Sequence, residues 1–155
     1  MSLITDISTI VSTLYPASTY ILSNKFNANL ASFNVAATAL PLIILDNELM
    51  RNNEIKANNN VVKTHRIIIS VFKLDNTNNT DTQSNTIFEQ CEVIADHIAA
   101  NIYLKLPVIP NPRQQYTVTP AFHAYNANLT GAILSMQVGY NSITDFTDTL
   151  PIPTP

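Results

Sequence analysis

Leu3, Ile4, Ile7, Ile10, Val11 and Leu14 recur at the three- and four-residue spacing that gathers apolar side chains on one helical face. Ser2 can cap the start of that run and Pro16 cannot continue it, so the pattern predicts a first helix from Ser2 to Tyr15. Tyr20 to Phe26 has the make-up of a short strand, and Ala28 to Ala39 is a weakly patterned connector. Leu40 to Leu45 is a compact apolar run closed by Asp46-Asn47, a strand followed by a turn. The strongest strand lies between Lys63 and Leu74. Alternation puts Ile67, Ile69 and Val71 on one face and Ile68, Phe72 and Leu74 on the other, beside Arg66 and Ser70. A strand apolar on both faces needs cover on both.

Asp75 to Gln83 reads as a polar turn, after which Ser84 is placed to cap a second helix. Its buried side is expected to hold Ile87, Phe88, Cys91, Ile94, Ala95, Ile98, Ile102 and Tyr103. Leu106 to Arg113 is broken by prolines and irregular. Two closing strands follow, Tyr116 to Tyr125 and Ala132 to Tyr140, joined by the turn from Asn126 to Gly131. Pro120 lacks an N–H for the ladder and suits a sheet edge.

These elements predict an α+β fold in the order α-β-β-β-α-β-β: a single antiparallel or mixed sheet with two helices packed on one face. One domain over residues 1–140 accounts for all of them. Two segments stand outside it. Met50 to Asn60 is polar and Asn-rich, and reads as a loop or a hairpin arm. Residues 141–155 end Leu-Pro-Ile-Pro-Thr-Pro and read as an extended Pro-rich C-terminal arm.

Composition sharpens this picture in one respect. Only 12% of residues are charged, against roughly a quarter in ordinary soluble domains, so Asn, Thr and Ser must keep the surface wet. An isolated enzyme can be built that way, and so can a subunit packed against copies of itself. A net charge of −3 gives no basic footprint for gripping nucleic acid. The start lacks the basic flank and apolar core of a signal peptide, and Leu40–Leu45 is far too short to span a bilayer. An intracellular product with no membrane partner is expected.

The search for chemistry yields little. His65, His97 and His123 fall on two predicted strands and a helix, without the paired spacing of metal ligands, and read as ordinary histidines. Cys91 is alone, which excludes an intrachain disulfide, and it sits in the apolar stripe of the second helix, as a core residue would. With only Gly131 and Gly139, the chain has no phosphate-cradling loop. The sharpest enzymatic alternative is Asp46 with Glu54 and Lys56, which resembles the metal-dependent nuclease arrangement of carboxylates and a water-orienting lysine. That arrangement needs Glu and Lys on a core strand, and residues 51–60 have no strand period. No catalytic residue, metal or cofactor is expected.

Three features favour assembly instead: strands apolar on both faces, two flanking arms, and low charge with many amide and hydroxyl groups. The contact candidates are Arg51, Glu54 and Lys56 on the first arm, Ile68, Phe72 and Leu74 on the second sheet face, and Ile152 on the tail. The other readings are a monomer whose connectors cover the second face, and a module that accepts a peptide by strand addition along Tyr116–Tyr125.

The helix ending Leu14-Tyr15-Pro16 is followed by the strands Leu42-Ile43-Ile44-Leu45-Asp46 and Ile67-Ile68-Ile69-Ser70-Val71-Phe72, then by the helix from Ile87 to Tyr103. With the ending Asn128-Leu129-Thr130-Gly131-Ala132-Ile133-Leu134-Ser135-Met136-Gln137-Val138, this succession resembles the tail-terminator, tail-completion and neck proteins of tailed bacteriophages. The resemblance spans nearly the whole chain as a pattern and rests locally on the Leu-Thr-Gly ending. It implies a virion protein, assembled in the host bacterial cytoplasm, that forms a six- or twelve-fold ring at the head–tail junction or tail end. Its partners would be copies of itself and neighbouring neck, portal or tail proteins, with DNA only passing through the lumen. The resemblance brings no catalytic residues to transfer.

Overall fold

The computed structural model describes residues 3–23, 41–46, 50–55, 60–75, 78–105, 108–109, 115–124 and 129–145. Helix α1, Leu3–Leu14, buries Leu3, Ile7, Ile10 and Val11. Along its outer side Thr9, Ser12 and Thr13 donate their hydroxyls to the carbonyls four residues back, the position a mid-helix hydroxyl commonly bonds. The chain turns at Tyr15, ahead of Pro16, and enters β1, Thr19–Ser23.

Strand β1 lies parallel to β2, Leu42–Asp46, which pairs antiparallel with β4, Asn60–Leu74. Between them β3, Met50–Ile55, also pairs antiparallel with β4, farther toward its start. Helix α2, Asp81–Lys105, then crosses the sheet. It is followed by the two-residue β5, Val108–Ile109, and by β6, Tyr116–Ala124, and β7, Leu129–Asp145, both of which pair antiparallel with each other; β5 also pairs with β7. The result is an α+β fold with one mixed, seven-stranded sheet. The order α-β-β-β-α-β-β holds, with β3 and β5 inserted as additional strands.

The pair β4–β7 is the spine. Every residue of β4 has a partner on β7, from Asn60 opposite Asp145 to Leu74 opposite Leu129. At 3.3 Å per residue, the 15 residues of β4 reach about 50 Å. Around one end of the spine lie β1, β2 and β6, and around the other β3 and β5. The core sits at the first end, where Ile43, Leu45, Ile67, Ile69, Val71, Ala132, Leu134, Met136 and Val138 meet Ile7, Ile10 and Val11 of α1 and Cys91, Ala95, Ile98, Ala99 and Ile102 of α2. Both helices therefore pack on one face.

The opposite face has its own smaller cluster, Leu42, Ile44, Phe72 and Leu129, with Ile21 and Ala121 packed against it. The two faces of β4 divide as alternation demands: Ile67, Ile69 and Val71 are wholly buried on the helix side. Phe72 is wholly buried on the other, so its apolar surface is satisfied within the chain.

Several expectations are corrected. Of the two readings of residues 50–60, the hairpin arm rather than the loop holds over residues 50–55, which form a strand: the β4 backbone offers them a ladder, which outweighs a polar sequence with no strand period. Helix α2 begins at Asp81, and its cap is Thr80, not Ser84. The Thr80 N–H donates to Gln83 Oε1 at 2.8 Å and the Gln83 N–H to Thr80 Oγ1 at 3.3 Å, a reciprocal capping box. Leu129–Gly131 belong to β7 rather than to a turn, and residues 141–145 extend β7 rather than begin an arm. The rest of that tail, with Ile152, lies outside the described residues, as do the connector Ala28–Ala39 and Lys56.

Candidate functional site

Four elements converge on one carboxylate. Asp75 ends β4 with its side chain completely buried. Its Oδ2 accepts hydrogen bonds from Ser84 Oγ on α2 at 2.7 Å and from Thr130 Oγ1 on β7 at 2.6 Å. Asn79 Nδ2, from the β4–α2 connection, donates to Oδ1. His123 Nε2 on β6 stands 3.6 Å from Oδ2. A buried carboxylate is tolerated only when its lone pairs are met, and here three neutral donors meet them, with an imidazole 3.6 Å away.

The imidazole arrives by a backbone irregularity. Register between β6 and β7 shifts between Ala121 and Ala124, and within that bulge His123 takes φ = 48°. The left-handed region is costly for a residue with a Cβ. It is held by the His123 N–H, which donates to Thr130 Oγ1 at 3.2 Å. Thr130 thus receives from His123 while giving its proton to Asp75.

Above the carboxylate lies a cleft of about 400 Å³ lined by Asp81, Ser84, Asn85, Phe122 and His123. Phe122 meets Phe88 edge-on at 6.2 Å between centroids. Serine, histidine and aspartate together invite comparison with a nucleophilic relay, but the order is wrong. A relay needs serine to give its proton to histidine, whereas Ser84 gives its proton to Asp75, and His123 faces that same carboxylate. The arrangement ties α2, β4, β6 and β7 together.

Neither Asp75 nor Ser84 is legible as part of this knot, since Ser84 reads as a cap and Asp75 as a turn residue. A lone Asp leaving an apolar strand is the only local signal, and it is shared by countless surface turns.

The other candidate residues are dispersed. His65 is buried in β4, His97 accepts or donates at 2.9 Å with the Tyr15 hydroxyl, and His123 belongs to the Asp75 knot. Asp96 and His97 diverge as neighbours on a helix must: Asp96 receives the Tyr116 hydroxyl of β6 while His97 meets α1. Among the described residues no three His, Cys, Asp or Glu side chains are placed to share a metal ion. Cys91 is wholly buried, and that burial pushes its thiol up to about 11, only partly countered by the charge of Lys73.

The nuclease arrangement does not assemble. Leu45, which precedes Asp46, is opposite Ile69, and Glu54 is opposite Val62. Asp46 is therefore level with Ile68, six residues from Val62 and about 20 Å along the strand, too far for two carboxylates to share one ion. Strand addition along β6 is opposed by Pro120 and by the bulge, the two devices that blunt a sheet edge.

Of the proposed contact residues, Arg51 and Glu54 lie on β3, Ile68 is half-buried, Leu74 is 45% exposed, and Phe72 is buried and cannot meet a partner. On the outer side of α2, Val93 is 67% and Leu104 80% exposed. Among the described residues no helix is long and apolar enough to cross a membrane. No family model matches the chain, and no curated protein matches it.

Proposed function

We propose that this chain is a non-catalytic virion structural protein that forms a homo-oligomeric ring in the neck or tail of a bacteriophage, as a tail terminator, completion or neck protein. The observation that supports this reading best is the continuation of the β4–β7 spine beyond the helix-covered core, where β3 and β5 pair onto it. A lone domain of this size gains little from extending a four-strand ribbon away from its helices, whereas a subunit gains a surface for its neighbours. The α-β-β-β-α-β-β succession agrees with the phage resemblance, and the low charge suits broad, hydrated contacts. A net charge of −3 leaves a lumen that does not hold passing DNA.

The mass of the purified chain, measured by light scattering across a concentration series with negative-stain images, tests the reading. Rings of roughly six to twelve copies are expected from the phage resemblance, closed by cyclic symmetry. A strict monomer, both alone and with the neighbouring neck and tail proteins of the same virion, would overturn it.

A further inference from the structure

Strand β1 pairs with β2 alone among the described strands, so its other side is an edge of the sheet. Sheet edges are ordinarily guarded by a proline, a bulge or a charged side chain. The β6 edge has two of these, Pro120 and the register shift between Ala121 and Ala124. The β1 edge has none. Thr19-Tyr20-Ile21-Leu22-Ser23 carries no charge and no proline, and it keeps one unbroken register with β2. Leu22 is 44% exposed there.

One hydrogen bond fixes the direction of the amides. The Thr19 N–H donates to the Pro41 carbonyl at 3.1 Å, toward β2. Successive residues of a strand aim their amides at opposite edges, so Ile21 also bonds toward β2, while the N–H and C=O of Tyr20 and Leu22 point to the open edge. The side chains alternate as well. Tyr20 packs on the helix-covered core, with Leu22 on the same face, and Ile21 lies on the other face against the smaller cluster.

We infer that the β1 edge is a docking surface for β1 of a second copy, the two strands running antiparallel about a two-fold axis at Ile21. That register sets Tyr20 of each copy opposite Leu22 of the other, the residues whose amides face outward. Each outward N–H then meets an outward C=O, and both edges are satisfied together. A two-fold contact sets a patch against itself, which an uncharged strand permits without repulsion. The exposed leucine is covered by a tyrosine, a favourable aromatic–aliphatic pair across strands. The two Ile21 residues meet at the close position between hydrogen-bonded pairs. Five residues a side make a small interface, so the dimer is weak and reversible. The contact does not depend on the ring reading: it makes a pair of chains by itself, and in a ring assembly it joins one ring to a second.

Single cysteines in the full chain test the register. Ile21→Cys sets the two Cα atoms about 4.5 Å apart, within disulfide range, whereas Leu22→Cys sets them about 8 Å apart, beyond it. Under mild oxidation Ile21→Cys forms covalent dimers on a denaturing gel at least about tenfold faster than Leu22→Cys, although Leu22 is the more exposed position. Leu22→Pro removes only an outward N–H. It leaves the melting temperature near wild type and raises the dimer dissociation constant, read by light scattering, at least about tenfold. Where the proline variant melts early, the cysteine comparison decides alone. No covalent pair through Ile21→Cys, faster pairing through Leu22→Cys, or a folded Leu22→Pro chain that associates like wild type overturns the contact. Rings without the Ile21→Cys pair remove this inference and leave the ring reading. Covalent pairs from a protein whose mass never exceeds twice 17.1 kDa do the reverse.

Discussion

The Thr130 hydroxyl donates to Oδ2 of Asp75 across 2.6 Å, joining the start of β7 to the exit of β4 over 55 residues of chain. Both side chains are buried, and the same oxygen receives Ser84. Removing the carboxylate strands three donors at once. Asp75→Ala is expected to cost about 3 kcal/mol, lowering the melting temperature by roughly 6–12 °C. Asp75→Asn retains one acceptor oxygen and should cost less. Urea titration of the two variants checks the ranking, and an Asp75→Ala chain as stable as wild type would show that the knot contributes nothing.

Gly131 is required by proximity rather than by conformational freedom. It lies opposite Phe72 in the spine, and a Cβ built there would stand 1.8 Å from the Val71 carbonyl oxygen. Backbone cannot move aside as a side chain end would, so β4 and β7 would have to part. Gly131→Ala is expected to destabilise by more than about 4 kcal/mol, seen as a large drop in soluble yield and in melting temperature. A mild effect would mean that the ladder opens locally at little cost.

The start of α2 depends on the reciprocal bonds of Thr80 and Gln83. Thr80→Ala should cost about 1 kcal/mol, a fall of roughly 2–4 °C in melting temperature, while Thr80→Ser should be nearly neutral. Circular dichroism melts distinguish the two.

Alkaline pH probes burial. The Cys91 thiol is raised from 9.0 to about 11 and the Tyr20 hydroxyl from 10.0 to about 12, both by desolvation. Each group keeps its proton longer in the folded chain than in the unfolded one. The unfolded state therefore binds fewer protons between the two values, and stability falls as pH rises. The urea midpoint should be level up to pH 9 and decline between pH 9 and 12. Cys91→Ala should flatten the part from 9 to 10 and make it shallower from 10 to 11, where Tyr20 still contributes. In the native protein at pH 8, the thiol should react with a thiol reagent only as fast as the chain opens.

What could be read from sequence was whatever depended on period. The α1 stripe, the division of β4 into Ile67, Ile69 and Val71 against Ile68, Phe72 and Leu74, the buried side of α2 around Cys91 and Ile98, and the edge position of Pro120 all follow from side chains alternating or recurring along one element. What could not be read depended on partners far along the chain. Strand β3 exists because β4 offers it a ladder, not because Met-Arg-Asn-Asn-Glu-Ile favours a strand. The Asp75 knot draws its donors from 4, 9 and 55 residues away, and the farthest, Thr130, lies beyond the reach of any local pattern. Phe72 reads as a contact residue because alternation shows which face a side chain takes, but not whether Leu42, Ile44 and Leu129 already wait there.

The spine has a mechanical meaning. Because β4 and β7 remain paired from Asn60 to Leu74, a pull along the strands at the far end of the ribbon loads many rungs together in shear. Rungs loaded in series, as in unzipping, fail one at a time; rungs loaded in parallel share the force. The helix-covered core and the β3–β5 end are thus joined by a stiff tie rod, so that displacing one moves the other as a unit.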